Sequence, residues 1–287
     1  MSALRRPLRR LCGVLLAGAA LATPARGDEA ATVPHVLWKS GEQRFSGWRV
    51  AAGDDGSVAI ATDAGELRVV AKGDELEEIA RVDGPVSSVP SGALAQGLGH
   101  AEEKVRDRCQ ALLRAQKELA FPALATALED DAVEARFRAL ELLIRLPPYP
   151  KLTDGVRRRL ADPDEAVRKI ALRVYAQLAP DDLFERVCWV LDHDDAPAVE
   201  HEAIVQVGRT KDPHGVDVLL DHLVDLEARS LRVATFDALR RLTARDFGRD
   251  EEAWRAWWTN HRKEIVGADD PPPPPSTRKR SKKVASR

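Results

Sequence analysis

The sequence predicts a mainly α-helical chain: an α-solenoid of about five two-helix units, preceded by a small β-meander that curls into a partial barrel. Three observations predict it. An amphipathic pattern centred on a small residue recurs at intervals of 30, 32, 32 and 32 residues, the mark of stacked repeats. Ahead of it, Val36 to Ile79 alternates with a period of two, the mark of half-buried strands. Aromatic residues are only 5% of the 287 positions, while charged residues are 31% and hydrophobic ones 44%. That balance suits a helical Ala/Leu/Arg/Glu-rich protein and excludes a disordered acidic tail, a collagen-like chain and a multi-span membrane protein. Three cysteines exclude a disulfide scaffold or a Cys-rich zinc module.

Residues 1–27 read as an export signal. Arg5, Arg6, Arg9 and Arg10 precede an apolar run from Leu11 to Ala22, and small residues with Pro24 and Arg26 follow. This is the basic, apolar and small-residue order of a secretory signal. Twelve apolar residues are too few to cross about 30 Å of hydrocarbon as a helix, so the expectation is cleavage, no remaining membrane span, and a periplasmic or extracellular location. Cleavage after Ala22 and cleavage after Gly27 both fit. Cys12 sits before the apolar run, the wrong order for a lipid-anchored cysteine.

Residues 34–82 read as a small β-module of four short strands. Val36–Trp38 and Trp48–Val50 come first, Ser57–Thr62 and Glu66–Val70 alternate, and Asp54-Asp55-Gly56 and Asp63-Ala64-Gly65 supply hairpin turns. Four strands with one apolar face can stand where a lone pair cannot. The string Leu37-x3-Gly41-x5-Gly47-x2-Val50, Val58-x-Ile60, Val69 and Asp74-x4-Ile79 resembles a small Src-homology-3-like β-domain. Trp38 and Trp48 read as the core of that module, with an aromatic ligand shelf as the other reading. Residues 83–98, rich in Gly, Pro and Ser, read as a linker.

Residues 99–266 read as the solenoid with a C-terminal capping helix. Five windows align on Cys109, Ala139, Ala171, Ala203 and Thr235. Each begins with an apolar residue four positions earlier and forms one helix of roughly fourteen residues. A shorter apolar helix precedes four of them, at Phe121–Leu128, Leu152–Leu160, Leu183–Leu191 and Val216–Val224. Asp130-Asp131, Asp162-Pro163-Asp164, Asp194-Asp195-Ala196-Pro197 and Asp212-Pro213 punctuate the pairs. Asp suits a helix N-cap and Pro a first turn. An Arg follows the first apolar position in four of the five units and is expected to reach an Asp of the preceding turn. The array resembles the short bacterial HEAT-like repeats of the phycobilisome-lyase group. The stretch from Ala198 to Leu220 carries the resemblance best, with Glu200 in place of Arg and Val207 in place of Leu. The resemblance implies a fold and says little about activity. Trp254, Trp257 and Trp258 share one helix face and read as the plug that closes the array. This ending looks like the terminal cap of other HEAT-like secreted proteins.

Residues 267–287 read as a disordered tail. Pro271–Pro275 form an extended spacer, followed by Arg278, Lys279, Arg280, Lys282, Lys283 and Arg287 without an acid. Removing these six bases and the five arginines of residues 1–27 from the total of 44 leaves 33 bases against 46 acids. An acidic body with a basic tail makes nucleic acid an unlikely partner for the solenoid. The tail itself can bind an anionic surface through Arg278, Lys279, Arg280, Lys282 and Lys283.

The chain contains no phosphate loop, H-E-x-x-H, C-x-x-C or G-x-S-x-G motif. Cys109 and Cys188 read as buried thiols. His193, His201, His214 and His222 cluster in two successive units, and His201-Glu202 is a His-Glu dipeptide. Deoxyhypusine hydroxylases, which resemble this chain in their HEAT-like units, use several such dipeptides to hold iron, and a single one does not make that site. The candidates for a simpler divalent-metal site are His193, Asp194, His201 and Glu202. The expectation is therefore a non-catalytic exported scaffold, with no cofactor, that binds a protein through the solenoid. The alternative is a metal-dependent enzyme or metal-binding protein with a His/carboxylate site in units three to five.

Overall fold

The computed structural model describes residues 32–40, 43–53, 55–71, 76–224 and 226–267. The export signal expected over residues 1–27 lies outside them, as does the basic tail from residue 268 onward. Among the described residues no helix is long and apolar enough to cross a membrane.

The N-terminal unit is an antiparallel sheet of five strands, one more than the alternation foretells: β1 (Thr32–Ser40), β2 (Gln43–Ala52), β3 (Val58–Thr62), β4 (Leu67–Val70) and β5 (Leu76–Pro85). Their spatial order is β4-β3-β2-β1-β5, so the chain meanders through four strands and returns to pair β5 with β1. Gly56 and Gly65 both have positive φ, which only glycine adopts freely in such tight turns. The pleat divides the side chains between two faces. Val36, Trp38, Ile60 and Val70 form a small cluster of strand residues on one face. Val33, Trp48, Val50, Ala59 and Ala61 on the other face join the main core. Both tryptophans are buried, as the core reading expects, but in different clusters. Trp48 lies over Gly84 of β5, where a Cβ would stand 2.6 Å from the indole.

Residues 83–98 are not a linker. Asp83 to Pro85 complete β5, and Ser91–Gln96 form helix α1, with Ala93, Leu94, Ala95 and Leu98 buried. The segment is the first helix of the first unit. Gln116 donates from Nε2 to the carbonyls of Val86 and Val89 at 3.0 and 2.6 Å, and the backbone N–H of Leu67 donates to Gln96 at 2.9 Å. Sheet and solenoid therefore share one core and a set of polar stitches.

The five hairpins are α1 with α2 (Glu103–Gln116), α3 (Phe121–Ala127) with α4 (Val133–Leu143), and α5 (Thr153–Arg159) with α6 (Glu165–Leu178). Then come α7 (Leu183–His193) with α8 (Pro197–Thr210) and α9 (Gly215–Leu223) with α10 (Arg229–Thr243). The second helices pack on one another in succession, and each first helix packs on its own partner. Cys109, Ala139, Ala171, Ala203 and Thr235 are all 0% exposed, which puts the aligned small residue at the contact in every unit. The approach is closest between α8 and α10: a Cβ on Gly208 would lie 2.8 Å from Cα of Ala238. Asp164 caps α6 by accepting from the N–H groups of Ala166 and Val167, and Pro197 occupies the first turn of α8.

The last helix, α11 (Glu251–Ile265), covers the end of the array. Trp254 and Trp258 are buried, Trp257 is half-buried, and the Trp258 indole N–H donates to Asp217 of α9 at 2.5 Å.

Candidate functional site

The conserved geometry of the units comes from the arginine column. Arg136 donates from Nη1 to the carbonyls of Asp130 and Asp131 in its own hairpin turn, at 2.9 and 2.8 Å. Its Nε and Nη2 also grip Asp162 at 2.8 and 2.9 Å. Arg168 repeats this with the carbonyls of Asp162 and Pro163 and the carboxylate of Asp194. The arginine thus reaches an Asp of its preceding turn, as the sequence reading expects, but at the backbone carbonyl, and the carboxylate it grips belongs to the turn of the following unit. The guanidinium serves both at once, turning Nη1 to its own turn and the Nε–Nη2 edge to the next unit. Asp130, Asp162 and Asp194 each accept the N–H two residues on, so each turn is also braced by its own carboxylate. The Asp162 and Arg136 side chains are 0% and 6% exposed. Burial pushes the Asp162 carboxyl up, but the hydrogen bonds from Arg136 and the Asp164 N–H outweigh it and hold the group below the usual carboxylate range.

The fourth unit breaks the column. Glu200 stands where the others have Arg, and Leu226 stands where the next Asp would be. Glu200 instead lies 2.9 Å from His222 Nε2, both side chains being under a tenth exposed. Arg232 resumes the pattern on the carbonyls of Leu223 and Leu226 and reaches Glu251 of the capping helix at 2.9 Å.

The second helices line a groove of about 520 Å³ between α6 and α8. Ile144, Ala176, Leu183 and Val205 line it with half-buried apolar side chains, Arg173, His201 and Arg209 are exposed along it, and Gln206 is buried beside Glu202. Glu202 is buried at its base and doubly held, by Nε of Arg173 at 2.8 Å and Nε2 of Gln206 at 2.6 Å.

Residues 149–240 match the family model described as HEAT repeats. These are HEAT-like repeats. No curated protein matches the chain. Among solved structures, the complex of CpcE and CpcF of phycocyanin lyase from Nostoc sp. PCC7120 is 17% identical, with 59% of this chain and 69% of that one covered at a TM-score of 0.44. A designed armadillo repeat protein in complex with a (KR)4 peptide is 15% identical, with 55% and 84% covered at a TM-score of 0.38.

The HEAT-like units place the four candidate metal ligands in different settings. His193 closes α7, stacked on Trp189 at 4.7 Å and bonded through Nδ1 to the Trp189 carbonyl. Asp194 is occupied by Arg168. His201 is exposed on the groove rim and Glu202 is buried beneath it. Among the described residues, no group of three or more His, Cys, Asp or Glu is placed to hold a metal ion. Cys109 and Cys188 are free thiols, and burial pushes both up to about 12, far from the thiolate a nucleophile needs.

One polar cluster escapes the sequence reading. Asp63 accepts from Ser46 Oγ and lies 2.9 Å from His35 Nε2. The carboxylate stands between hydroxyl and imidazole, so Ser46 gives its hydrogen bond to Asp63, not to a base. Burial raises the Asp63 carboxyl, and the bonds from Ser46 and His35 bring it below its ordinary value. The cluster pins the Asp63–Gly65 turn onto β1 and β2. No sequence signal joins residues 35, 46 and 63 short of the strand register itself.

Proposed function

We propose that this protein is a non-catalytic, exported scaffold that binds a protein partner on the face formed by its second helices. One observation carries the reading: the groove between α6 and α8 is open and partly lined by apolar side chains, and its buried carboxylate, Glu202, is already satisfied by Arg173 and Gln206. A catalytic acid or base needs a proton to exchange with substrate, and Glu202 is bonded to its neighbours at both oxygens. A groove that mixes half-buried apolar side chains with exposed polar ones suits a docking surface. The export half of the proposal rests on the pattern of residues 1–27.

The test is capture from the exported fraction with the full chain, with bound metal assayed on the same sample. A retained protein that is lost when Val205→Arg fills the groove, with metal well below one per chain, is the expected result. Stoichiometric metal that disappears in His201→Ala would replace the scaffold with a metal-binding protein.

A further inference from the structure

Five carboxylates of the second helices are held by a partner within the chain. Glu134 and Asp107 are bonded by Arg138, Glu141 by Gln110, Glu202 by Arg173 and Asp237 by Arg240. The arginines are not all used. Arg145, Arg209 and Arg241 occupy one aligned column, at the C-terminal ends of α4, α8 and α10. All three are exposed, and none has an ion pair among the described residues. Gln177 holds the same position in α6 and lines the groove beside Arg209. Three exposed cations without an ion pair among the described residues thus stand in one column on a body that is acidic as a whole.

We infer that Arg145, Arg209 and Arg241 form a stripe that binds an extended acidic segment of a partner protein across the groove. The inference rests on the scaffold reading and names the chemistry of its partner. Neighbouring packed helices lie about 8–10 Å apart, and an extended chain advances roughly 3.3 Å per residue. One column step therefore matches about three residues of the segment. Acids three apart meet Arg209 and Arg241, and a third acid about six residues further meets Arg145. The intervening residues pass over Gln177, whose carboxamide offers hydrogen bonds without charge. Ile144 and Val205, half-buried in the groove, take the side chains that an extended strand turns inward. Arg offers a forked pair of donors to each carboxylate, and the cations also complement the helix C-termini on which they sit.

The experiment is fluorescence anisotropy with the full chain and a labelled peptide of about twelve residues carrying Asp at every third position. The comparison probes are the same peptide with Asn for Asp and a short DNA duplex. The stripe predicts binding of the Asp peptide that weakens with salt and falls at least about tenfold in Arg209→Glu/Arg241→Glu, a loss of about 1.4 kcal/mol or more. Arg145→Glu gives a smaller loss in the same direction, and unchanged far-ultraviolet circular dichroism shows that the variants are folded. Equal binding of the Asn peptide overturns the inference. So does binding that the substitutions leave unchanged, which places the acidic peptide on the basic tail. Tighter binding of the duplex makes the stripe a nucleic-acid contact and also overturns it. A protein captured by the chain whose retention survives Arg209→Glu/Arg241→Glu leaves the scaffold standing and removes only the stripe.

Discussion

Arg136 with Asp162 and Glu200 with His222 fill the same slot between successive units with different chemistry. In the first, a guanidinium bridges the carbonyls of its own turn and the carboxylate of the next unit. In the second, Glu200 replaces the arginine and turns to the imidazole of His222 on α9. The change at residue 226 belongs with it. An Asp there would face Glu200, and two buried carboxylates repel; Leu226 instead packs against the main core. Either pairing fills the slot, whereas Arg106 of the first unit holds the carbonyls of its own turn and comes only within 3.6 Å of Glu134. A buried ion pair is weak grounds for stability by itself, yet breaking one is expensive because a charge is left uncompensated. The contact therefore fixes how one unit sits on the next, and with it the face on which a partner would dock.

The comparison can be broken by degrees. Ala171→Glu forces a carboxylate into a fully buried helix contact between α6 and its neighbours. It is expected to cost more than about 4 kcal/mol and to abolish cooperative thermal unfolding; an unchanged transition would remove the alignment of units. Arg136→Ala leaves Asp162 buried without its partner and is expected to cost about 3–5 kcal/mol in urea unfolding. The same pair sets an acid limit. Because the folded Asp162 carboxyl titrates below its unfolded value of about 3.9, its contribution is present above that pH and is lost as the pH falls through the folded value. Asp162→Asn should reduce the slope of the stability profile in that acid window, with the remainder left to Asp63 and the other carboxylates held low. Gly208→Val pushes a side chain into the backbone at Ala238 and should cost about 1–3 kcal/mol. The smallest effect has the opposite sign. Ala179 and Ala244 end α6 and α10 at φ 46° and 54°, the left-handed region that favours glycine. Ala179→Gly and Ala244→Gly should each stabilise by up to about 1 kcal/mol, read as a rise in Tm.

The second helices were legible in the sequence because each buries a complete stripe with the small residue at its centre, from Cys109 to Thr235. The first helix of the first unit was not. Ser91 and Gly92 resemble a linker, and Ala93, Leu94 and Leu98 are apolar for the sake of the sheet and α2, which local periodicity does not reveal. The repeat itself held the missing signal, since five second helices need five first helices. Strand β5 was missed for a related reason. It is an edge strand whose residues are mostly exposed, so it carries little alternation to read. Of the groove, His201 and Glu202 were visible as a dipeptide, whereas Arg173, Arg209 and Ile144 come from three units and meet only when the helices stack. The forward direction of the arginines was also invisible, because Asp162 is within plausible reach of both Arg136 and Arg168 along the sequence. Arg168 takes its backbone carbonyl and Arg136 its carboxylate.

The most direct test of the keyed slot is a double-mutant cycle at the deviant step, with Glu200→Arg, Leu226→Asp and the two combined, measured by urea unfolding. Each single change is expected to destabilise, the first by placing a cation without its acceptor and the second by setting a carboxylate near Glu200. The double variant rebuilds the Arg–Asp pairing of the earlier units and should recover at least about 1 kcal/mol relative to the sum of the singles. Additivity within about 0.5 kcal/mol would mean that residues 200 and 226 do not share a contact, and would contradict the claim that a single paired slot sets the register of the array.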